Sequence, residues 1–275
     1  MDTSRPIPNI HPTSVVDPSA VIGEGVQIGP YCTIGPNVVL GDNVRLISHA
    51  VVDGHTSIGA NTVVHPFASL GLAPQHLRYK GEPSRLIIGE NNTIREHVTM
   101  HIGTEQGRME TRVGSHCFFM VGSHVAHDCV IEDHVILTNC VALGGHVWIG
   151  EYAIIGGLSG VHQYVRIGKH AMIGGVTGVE KDVIPYALAM GNRARLTGLN
   201  IVGLRRRGFS REDIRSLRTA YGLLFSQGGT MAERLIEVAE LFKDHAGVMD
   251  IINFIREDST RPMCTPGTVN GNGSP

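Results

Sequence analysis

The sequence predicts a mainly β fold, a parallel β-helix of hexapeptide repeats followed by a small C-terminal α-helical domain. From Ile10 to Val183 an aliphatic residue, often followed by Gly, returns at nearly every sixth position. This period fits neither an α-helix nor a long strand, and it is typical of short strands wound into stacked coils. Three hexads make one coil, so equivalent residues three hexads apart should lie above one another, with a rise of ~4.8 Å per coil.

The β-helix is assigned to residues 1–190, with two loop excursions. The hexads keep one phase up to Leu70 and resume at Ile88, after an excursion near residues 71–87. A second excursion, at residues 103–112, shifts the phase by one residue. Long loops inside a regular coil cost closure entropy, and inserted segments of this kind usually serve function.

The six-residue period ends at Ile184, and residues 191–258 are predicted to form the helical domain. The tail, residues 259–275, is rich in Pro and Gly and is expected to be disordered. Three helices are expected, each with a start signal or an apolar pattern: Ser210 to about Phe225, Thr230 to about Asp244 with Glu233 completing a capping box, and Val248 to Arg256.

The composition narrows the possible functions. With 23 Lys+Arg, 25 Asp+Glu and a net charge of −2, nothing indicates a general nucleic-acid or membrane surface. No apolar run approaches the ~18 residues of a membrane span. The polar segment Met1–Asn9 has no apolar signal core, which predicts a cytoplasmic protein. The five cysteines form no Cys-x-x-Cys pair, and those at the fifth place of a hexad are expected to be small buried hydrophobes.

The 15 histidines divide according to their place in the repeat. One group lies at corners and is expected to be solvated: His49, His55, His116, His134 and His170. The other group lies on or beside the hexads that start at Val125, Leu143 and Val161. Because these hexads should stack on successive coils, the members of this group should meet on one face outside the core: His124, His127, His146 and His162.

The third-place column of that shared face contains His127, Gly145 and Gln163. A glycine beside a histidine leaves a bare backbone N–H near an imidazole, which pairs a general base with an oxyanion donor. Asp128 could hold the imidazole in one tautomer. Two alternatives remain open at this point: a solvated histidine cluster, and a zinc site with neutral imidazole ligands.

One face over, the third-place column contains Asn139, Gly157 and Gly175. Because two of these residues lack a side chain, a slot along the rod could hold an extended apolar chain. The alternative is that glycine is simply common at the corners of a coil.

Several motifs together resemble the bacterial UDP-N-acetylglucosamine O-acyltransferase family, which carries out the first step of lipid A synthesis. The resemblance covers nearly the whole chain, and the motifs are specific in combination. They are Ala126-His127-Asp128-Cys129, Gly144-Gly145-His146-Val147, Ile154-Ile155-Gly156-Gly157, Val161-His162-Gln163, and Asn200-Ile201 leading to Leu204-Arg205-Arg206-Arg207-Gly208-Phe209-Ser210.

The resemblance implies a left-handed β-helix, an exception to the right-handed crossover rule, and a homotrimer with sites between subunits. It implies transfer of a 3-hydroxyacyl group from acyl carrier protein to the 3-hydroxyl of UDP-N-acetylglucosamine. No metal or other cofactor is implied, because the phosphopantetheine of acyl carrier protein carries the acyl donor. Neither a nucleic-acid partner nor a membrane span is expected.

The same resemblance assigns roles to three sets of residues. Catalysis falls to His127 as general base, Asp128 as its support and Gly145 as oxyanion donor. Substrate binding falls to Gln75, Arg78, His124, His146, His162, Gln163, Asn200, Arg206 and Arg207. The acyl-chain groove falls to Gly157, Met172, Gly175 and Arg193. The helices after Ser210, preceded by Arg205–Arg207, suit docking of an acidic carrier protein.

The chain departs from the family pattern at four positions. His76 stands where the family usually has Asp, Arg78 where it has Lys, Val202 where Glu is common, and Arg193 where the resemblance suggests His, near the proposed acyl end. These changes are compatible with an acceptor that carries a 3-amino group and would be acylated as an amide, or with neutral drift.

Three rival functions remain. The N-acyltransferase of the same pathway carries an extra N-terminal domain, for which a period starting at Ile10 leaves no room. A zinc-dependent hexapeptide hydratase would use the histidines as metal ligands. A purely structural β-helix would need none of them.

Overall fold

The computed structural model describes residues 9–267, and it confirms the predicted fold class. Short strands, most of them two residues long, stack into three sheets of 11, 9 and 8 strands that are parallel except for the last pair, β27 and β28. The strands of residues 9–267 are β1 (Asn9–Ile10), β2 (Val15–Val16), β3 (Val21–Ile22), β4 (Gln27–Ile28), β5 (Thr33–Ile34), β6 (Val39–Leu40), β7 (Arg45–Leu46), β8 (Val51–Val52), β9 (His55–Ile58), β10 (Val63–Val64), β11 (Ser69–Leu72), β12 (Arg85–Ile88), β13 (Thr93–Ile94), β14 (Thr99–His101), β15 (Glu110–Val113), β16 (Phe118–Phe119), β17 (His124–Val125), β18 (Val130–Ile131), β19 (Ile136–Leu137), β20 (Ala142–Leu143), β21 (Trp148–Ile149), β22 (Ile154–Ile155), β23 (Gly160–Val161), β24 (Arg166–Ile167), β25 (Met172–Ile173), β26 (Gly178–Val179), β27 (Ala187–Met190) and β28 (Arg195–Leu199).

Strand pairing confirms the coil of three hexads and explains the shift in phase. Within the regular coil, Ile136 pairs with Ile154, its equivalent three hexads later. Across the first excursion Val63 pairs with Thr93, and across the second Thr93 pairs with Phe118. The first excursion therefore adds two whole hexads and preserves the phase, whereas the second adds one hexad and a single further residue and shifts it by one.

The core is a narrow column inside the coil, filled by the first- and fifth-place side chains, such as Ile131 and Val135. Cys32, Cys117 and Cys129 are buried in it, as predicted, and burial raises the pKa of all three thiols. The excursions occupy residues 73–84 between β11 and β12 and residues 102–109 between β14 and β15, and only Ile102 of the second joins the buried core.

Four helices follow within the described residues: α1 (Ile201–Arg206), α2 (Arg211–Leu224), α3 (Met231–Leu241) and α4 (Ala246–Arg256). The three predicted helices correspond to α2, α3 and α4, and both α2 and α3 begin with a complete capping box. The short helix α1 was not predicted. Asn200 is its N-cap, and the side chain of Asn200 accepts a hydrogen bond from the N–H of Gly203.

The boundaries of the helical domain differ from those predicted. The antiparallel pair β27 and β28 extends strand structure to Leu199, beyond residue 190. Residues 259–267, expected to be disordered, lie against the coil: Cys264 is fully buried, and its N–H donates to the carbonyl of Asp182 at 2.7 Å. The sequence does not reveal this contact because the helical domain separates the two residues along the chain. Residues 268–275 lie outside the described residues.

One corner of the coil carries a column of stacked rings, here called the ring ladder. Neighbouring rings lie 4.4–5.4 Å apart with nearly parallel planes. The prediction that all corner histidines are solvated is wrong here, because stacking buries part of His134 and His170. The ring ladder consists of His116, His134, Tyr152, His170 and Tyr186.

Among residues 9–267, no helix is both long and apolar enough to cross a bilayer. Most of the N-terminal segment that underlies the cytoplasmic prediction, residues 1–8, lies outside the described part, so that prediction stays untested.

Candidate active site

His127 lies in the corner between β17 and β18, outside the core of the coil. It is nevertheless only 5% exposed, because the first excursion and the next coil cover it. Its ring centroid is 5.0 Å from that of His76 and 5.1 Å from that of His146. The interpretation as a solvated histidine cluster is therefore wrong for His127.

Asp128 holds the imidazole of His127 through a buried carboxylate. Oδ2 of Asp128 lies 2.8 Å from Nδ1 of His127 and accepts from the Thr104 hydroxyl at 2.6 Å. Oδ1 accepts from the N–H groups of Thr104 and Arg108, at 3.1 and 2.7 Å. Burial raises the pKa of Asp128, but these hydrogen bonds outweigh it and lower the pKa to about 2. An ionised carboxylate only accepts, so Nδ1 of His127 carries the proton and Nε2 is left with a lone pair that can accept one.

Gly145 lies directly against the ring of His127, as the coil of three hexads predicts. A Cβ added at Gly145 would come within 2.5 Å of Cε1 and 2.7 Å of Nε2 of His127. Only glycine fits this contact without displacing the imidazole. The Gly145 N–H donates no hydrogen bond within residues 9–267, so it is free to donate to a substrate oxygen.

His124 and His101 form a second histidine pair close to His127. Nδ1 of His124 lies 2.7 Å from the hydroxyl of Thr99, and its ring meets His101 edge to face at 4.9 Å. Burial, and to a smaller extent the neighbouring histidines, lowers the pKa of both histidines, that of His101 to about 4. Both rings are therefore neutral at pH 7 and can bind a substrate without adding charge.

His146 lies on the other side of the His127 ring, in the next coil. Its ring stacks on Tyr164 at 4.3 Å with an interplanar angle of 4°, and its Nε2 lies 3.9 Å from Oδ2 of Asp128. Burial lowers the pKa of His146 against the opposing charge of Asp128. His146 and Tyr164 face a separate cavity of about 670 Å³ between the coil and α4.

A cleft of about 530 Å³ opens over the second sheet beside His127. One surface of the cleft is formed by the outward-facing residues of four stacked strands, His124, Ala142, Gly160 and Gly178. Their side chains become smaller from His124 onwards, so this surface is flat beyond the histidine. The cleft brings together six of the predicted site residues: Gln75, His124, His127, Gly145, His162 and Gln163.

Several predicted substrate-binding residues do not line this cleft. Arg78 is exposed on the first excursion and Arg206 is exposed on α1. Both groups of the Asn200 amide are already used, because Oδ1 accepts from Gly203 N–H at 3.1 Å and Nδ2 donates to the His170 carbonyl at 3.0 Å. Asn200 therefore serves the fold as a helix cap in this chain.

Arg207 is bound to the ring ladder. Its Nη2 donates to the backbone carbonyl of Tyr152 at 2.8 Å, and its guanidinium carbon lies 5.2 Å from the centre of the Tyr152 ring. Burial lowers the pKa of Arg207, and its buried Nη1 has no hydrogen-bond partner among the described residues. Within a single chain, Arg207 does not meet His127.

The predicted groove residues lie around an adjacent corner. Gly157 and Gly175 follow β22 and β25, and an added Cβ at either would approach a carbonyl oxygen to 3.3 Å. Met172 lies on β25, and Arg193 pairs with Glu180 at 2.5 Å on the surface. Glu180 also lines the cleft beside His127, so this ion pair lies at the edge of the cleft, whereas Gly157, Met172 and Gly175 do not line it.

One group of three metal-capable side chains occurs among residues 9–267, namely His127, Asp128 and His146. Asp128 already accepts four hydrogen bonds, and a cation would displace at least the one from His127. These residues fit a hydrogen-bonded acid–base pair better than a zinc site, whose ligand atoms must be directed at the metal.

Sequence reasoning missed the residues that support the site from the loops. His101 ends β14, Thr104 and Arg108 belong to the second excursion, and Arg261 of the C-terminal segment contacts His162. His76, which the sequence marks only as a departure from the family pattern, lies against the ring of His127. The available signal was the position of the second excursion, which directly precedes the coil that carries His127.

Comparison with known proteins gives a consistent result. A family described as "Udp N-acetylglucosamine O-acyltransferase; Domain 2" matches residues 182–264, and "Bacterial transferase hexapeptide (six repeats)" matches residues 8–42. The chain is 54% identical over 258 residues to a Caulobacter vibrioides protein named acyl-[acyl-carrier-protein]–UDP-N-acetylglucosamine O-acyltransferase, covering 94% of this chain and 98% of that protein.

Solved structures agree with this relationship. The UDP-N-acetylglucosamine O-acyltransferase of Moraxella catarrhalis is 43% identical with a TM-score of 0.90, covering 92% of this chain and 98% of that one. A structure of the enzyme from Acinetobacter baumannii is 45% identical with a TM-score of 0.87, covering 93% and 99%.

Proposed function

This chain belongs to the UDP-N-acetylglucosamine O-acyltransferase family and is an acyltransferase, and we propose that His127 is the general base of its reaction. The acyl donor is acyl carrier protein, the acceptor is UDP-N-acetylglucosamine, and the reaction is the first step of lipid A synthesis. The observation that carries the base assignment is the Asp128–His127 hydrogen bond beside the free N–H of Gly145.

The proposed reaction begins at the 3-hydroxyl of the sugar. Nε2 of His127 takes the hydroxyl proton as the oxygen attacks the carbonyl carbon of the 3-hydroxyacyl thioester. Asp128 accepts the Nδ1 hydrogen bond throughout and stabilises the imidazolium that forms. When the intermediate collapses, the carbon–sulfur bond breaks, and the imidazolium returns its proton to the departing phosphopantetheine thiolate.

Gly145 supplies the stabilisation of developing charge in this scheme. The thioester oxygen becomes an oxyanion in the tetrahedral intermediate, and a preorganised backbone N–H beside it lowers the barrier. No residue of the scheme needs a metal or another cofactor, because the chemistry is a proton transfer coupled to acyl transfer.

The cleft beside His127 provides the binding surface for the sugar nucleotide. Gln75, His124, His162 and Gln163 line it and offer donors and acceptors to sugar hydroxyls and a diphosphate. Asn200, Arg206 and Arg207 lie elsewhere in the chain, so we propose that a neighbouring copy presents that region to the cleft, as in the homotrimer expected from the sequence. Measuring the mass of the protein in solution by light scattering tests the trimer.

We propose that acyl carrier protein docks on the helical domain. A groove of about 920 Å³ between α1 and α2 is lined by four arginines and by Phe209 and Ile214, a combination that suits an acidic partner with an apolar contact. Replacing Arg215 and Arg218 with Glu should raise KM for the acyl carrier protein and leave KM for the sugar nucleotide unchanged. The lining arginines are Arg205, Arg211, Arg215 and Arg218.

The acyl chain is proposed to run past Gly157 and Gly175 towards Met172 and Arg193. The two glycines leave the corner without side chains, which makes room for an extended chain. Comparing the turnover of acyl carrier proteins that carry short and long 3-hydroxyacyl chains tests this groove. A clear preference for short chains would show that the proposed groove is wrong. Replacing Gly175 with Met should shift the preference towards shorter chains.

One assay tests the base assignment and the acceptor together. Acylation is followed by mass spectrometry with UDP-N-acetylglucosamine and with its 3-amino analogue, using wild type and His127→Ala. We expect acylation of the 3-hydroxyl sugar and its loss in the variant. Acylation of only the amino sugar would instead point to amide formation, with His76 in place of the usual acid. Near-stoichiometric zinc in the purified protein would instead indicate that His127 and its neighbours bind a metal, and it would count against the metal-free scheme.

A further inference from the structure

The C-terminal segment, residues 259–267, is anchored to the coil through Asp182. The Ser259 hydroxyl donates to the Asp182 carboxylate at 2.6 Å, the Asp182 N–H donates to the Pro262 carbonyl at 3.0 Å, and the Cys264 N–H donates to the Asp182 carbonyl at 2.7 Å. These bonds flank Arg261 on both sides. The segment therefore keeps its course without the help of the Arg261 side chain.

Arg261 extends from this segment to the rim of the cleft. Its Nε donates to the carbonyl of Gln163 at 2.9 Å, and its Nη2 contacts Nδ1 of His162. Both His162 and Gln163 line the cleft that also contains His127. A residue from the far end of the chain thus touches the wall of the proposed sugar-nucleotide site.

The contact with Arg261 determines which nitrogen of His162 carries a proton. A guanidinium has only donors, so the Nδ1 that it meets is the acceptor, and the Gln163 carbonyl, 3.3 Å from the same Nδ1, accepts from Nε of Arg261 instead. His162 then carries its proton on Nε2, on the side of the ring away from Arg261. In this tautomer His162 offers a donor to an oxygen-rich ligand such as a nucleoside diphosphate.

We propose that Arg261 is a positioning residue for the sugar nucleotide, acting by holding His162 and the Gln163 backbone in their binding arrangement. The proposal rests on the function given above for the cleft, and it adds a residue from outside the β-helix to that site. The nearby positive charge of Arg261 also suits an anionic ligand at this rim.

The test compares Arg261→Ala with wild type in steady-state kinetics. We expect KM for UDP-N-acetylglucosamine to rise about tenfold, the effect of losing one charge-assisted hydrogen bond. kcat and KM for the acyl carrier protein should stay within about twofold, and Arg261→Lys should recover part of the loss. Arg256→Ala, which removes an exposed guanidinium from the end of α4, is the matched control and should leave every constant unchanged.

A double-mutant cycle with His162→Ala shows whether Arg261 acts through His162. If it does, the loss in the double variant should be clearly smaller than the sum of the two single losses, because both changes remove the Arg261–His162 contact while only Arg261→Ala also removes the one to the Gln163 carbonyl. Additive losses would overturn the positioning role.

Two further outcomes separate this proposal from the proposed function. If His162→Ala raises KM for the sugar nucleotide and Arg261→Ala does not, the cleft assignment stands and the role of Arg261 is rejected. If neither variant changes that KM, both the role of Arg261 and the placement of the nucleotide at His162 are wrong. The melting temperature of each variant shows whether the C-terminal segment stays folded.

Discussion

Two corners of the same coil use one backbone conformation for different purposes. In the ring ladder, and in the catalytic corner formed by Asp128, His146 and Tyr164, the fourth residue of each hexad has a positive φ of 58–66°. Such a conformation is uncommon for residues other than glycine. Both corners stack rings on successive coils, so the repeat alone does not distinguish them.

The difference lies in what covers each corner. The ring ladder is closed by its own stacking and by Phe209, whose ring meets both His170 and Tyr186 edge to face. In the catalytic corner the second excursion folds back onto Asp128 and gives its carboxylate three hydrogen bonds. His127 therefore differs from the histidines of the ring ladder in having a buried, loop-stabilised carboxylate beside it, which is the feature that supports its proposed role as a base.

The largest expected effect is that of removing the base. His127→Ala should lower kcat by at least about 10²-fold, the usual contribution of a positioned general base. The equivalent change in the ring ladder, His170→Ala, should leave kcat within about threefold, because Nδ1 of that ring has no hydrogen-bond partner among the described residues. Acylation assays of both variants, with circular dichroism to verify folding, make the comparison. Equal losses of kcat in the two variants would show that the two corners do not differ in their contribution to catalysis.

Gly145→Ala should have the next largest effect. The added Cβ would meet the His127 ring at 2.5 Å, so the imidazole must move away from its reacting position. We expect kcat to fall by roughly 10²-fold, comparable with the loss of one oxyanion donor, with a small change in melting temperature. Gly222→Ala, in α2 where an added Cβ meets nothing within 4 Å, is the control and should stabilise the protein by about 0.5–1 kcal/mol.

These two predictions concern features that the sequence already indicates. The coil of three hexads follows from the hexapeptide period, and it places Gly145 above His127 without any knowledge of the loops. Thr104 and Arg261 could not be found in this way. Their contacts, with Asp128 and with the His162–Gln163 corner, run through segments that carry no period. The repeat therefore predicts which residues share a face, whereas the hydrogen bonds that tune them depend on loop conformations.

Thr104→Val tests whether the loop activates the catalytic corner. The substitution keeps the side-chain shape but removes the hydroxyl that donates to Asp128 at 2.6 Å. One hydrogen bond to a charged group corresponds to about 1.5–3 kcal/mol, and we expect kcat to fall about tenfold with KM for both substrates unchanged. Thr104→Ser restores the donor and should recover most of the rate. A variant that raises KM instead would show that the loop shapes the cleft rather than the base.

The smallest effect concerns how the ring ladder responds to pH. Burial, together with the positive charges of Arg207 and Lys169 and against the opposing charge of Asp250, lowers the pKa of His170 to about 4. Between the ordinary value near 6.5 and about 4, the unfolded chain binds a proton that the folded protein does not, so stability falls as the pH drops through this window. Below about pH 4 both states are protonated and the loss stops.

His170→Phe keeps the stack without a titrating group. Between pH 7 and 4 its free energy of unfolding should fall by about 1 kcal/mol less than that of the wild type, since water screens part of the effect at a half-buried ring. Urea unfolding at pH 7, 5.5 and 4 measures this difference. Identical pH dependence in both proteins would mean that the ladder opens enough to admit the proton, and that stacking alone does not close this corner.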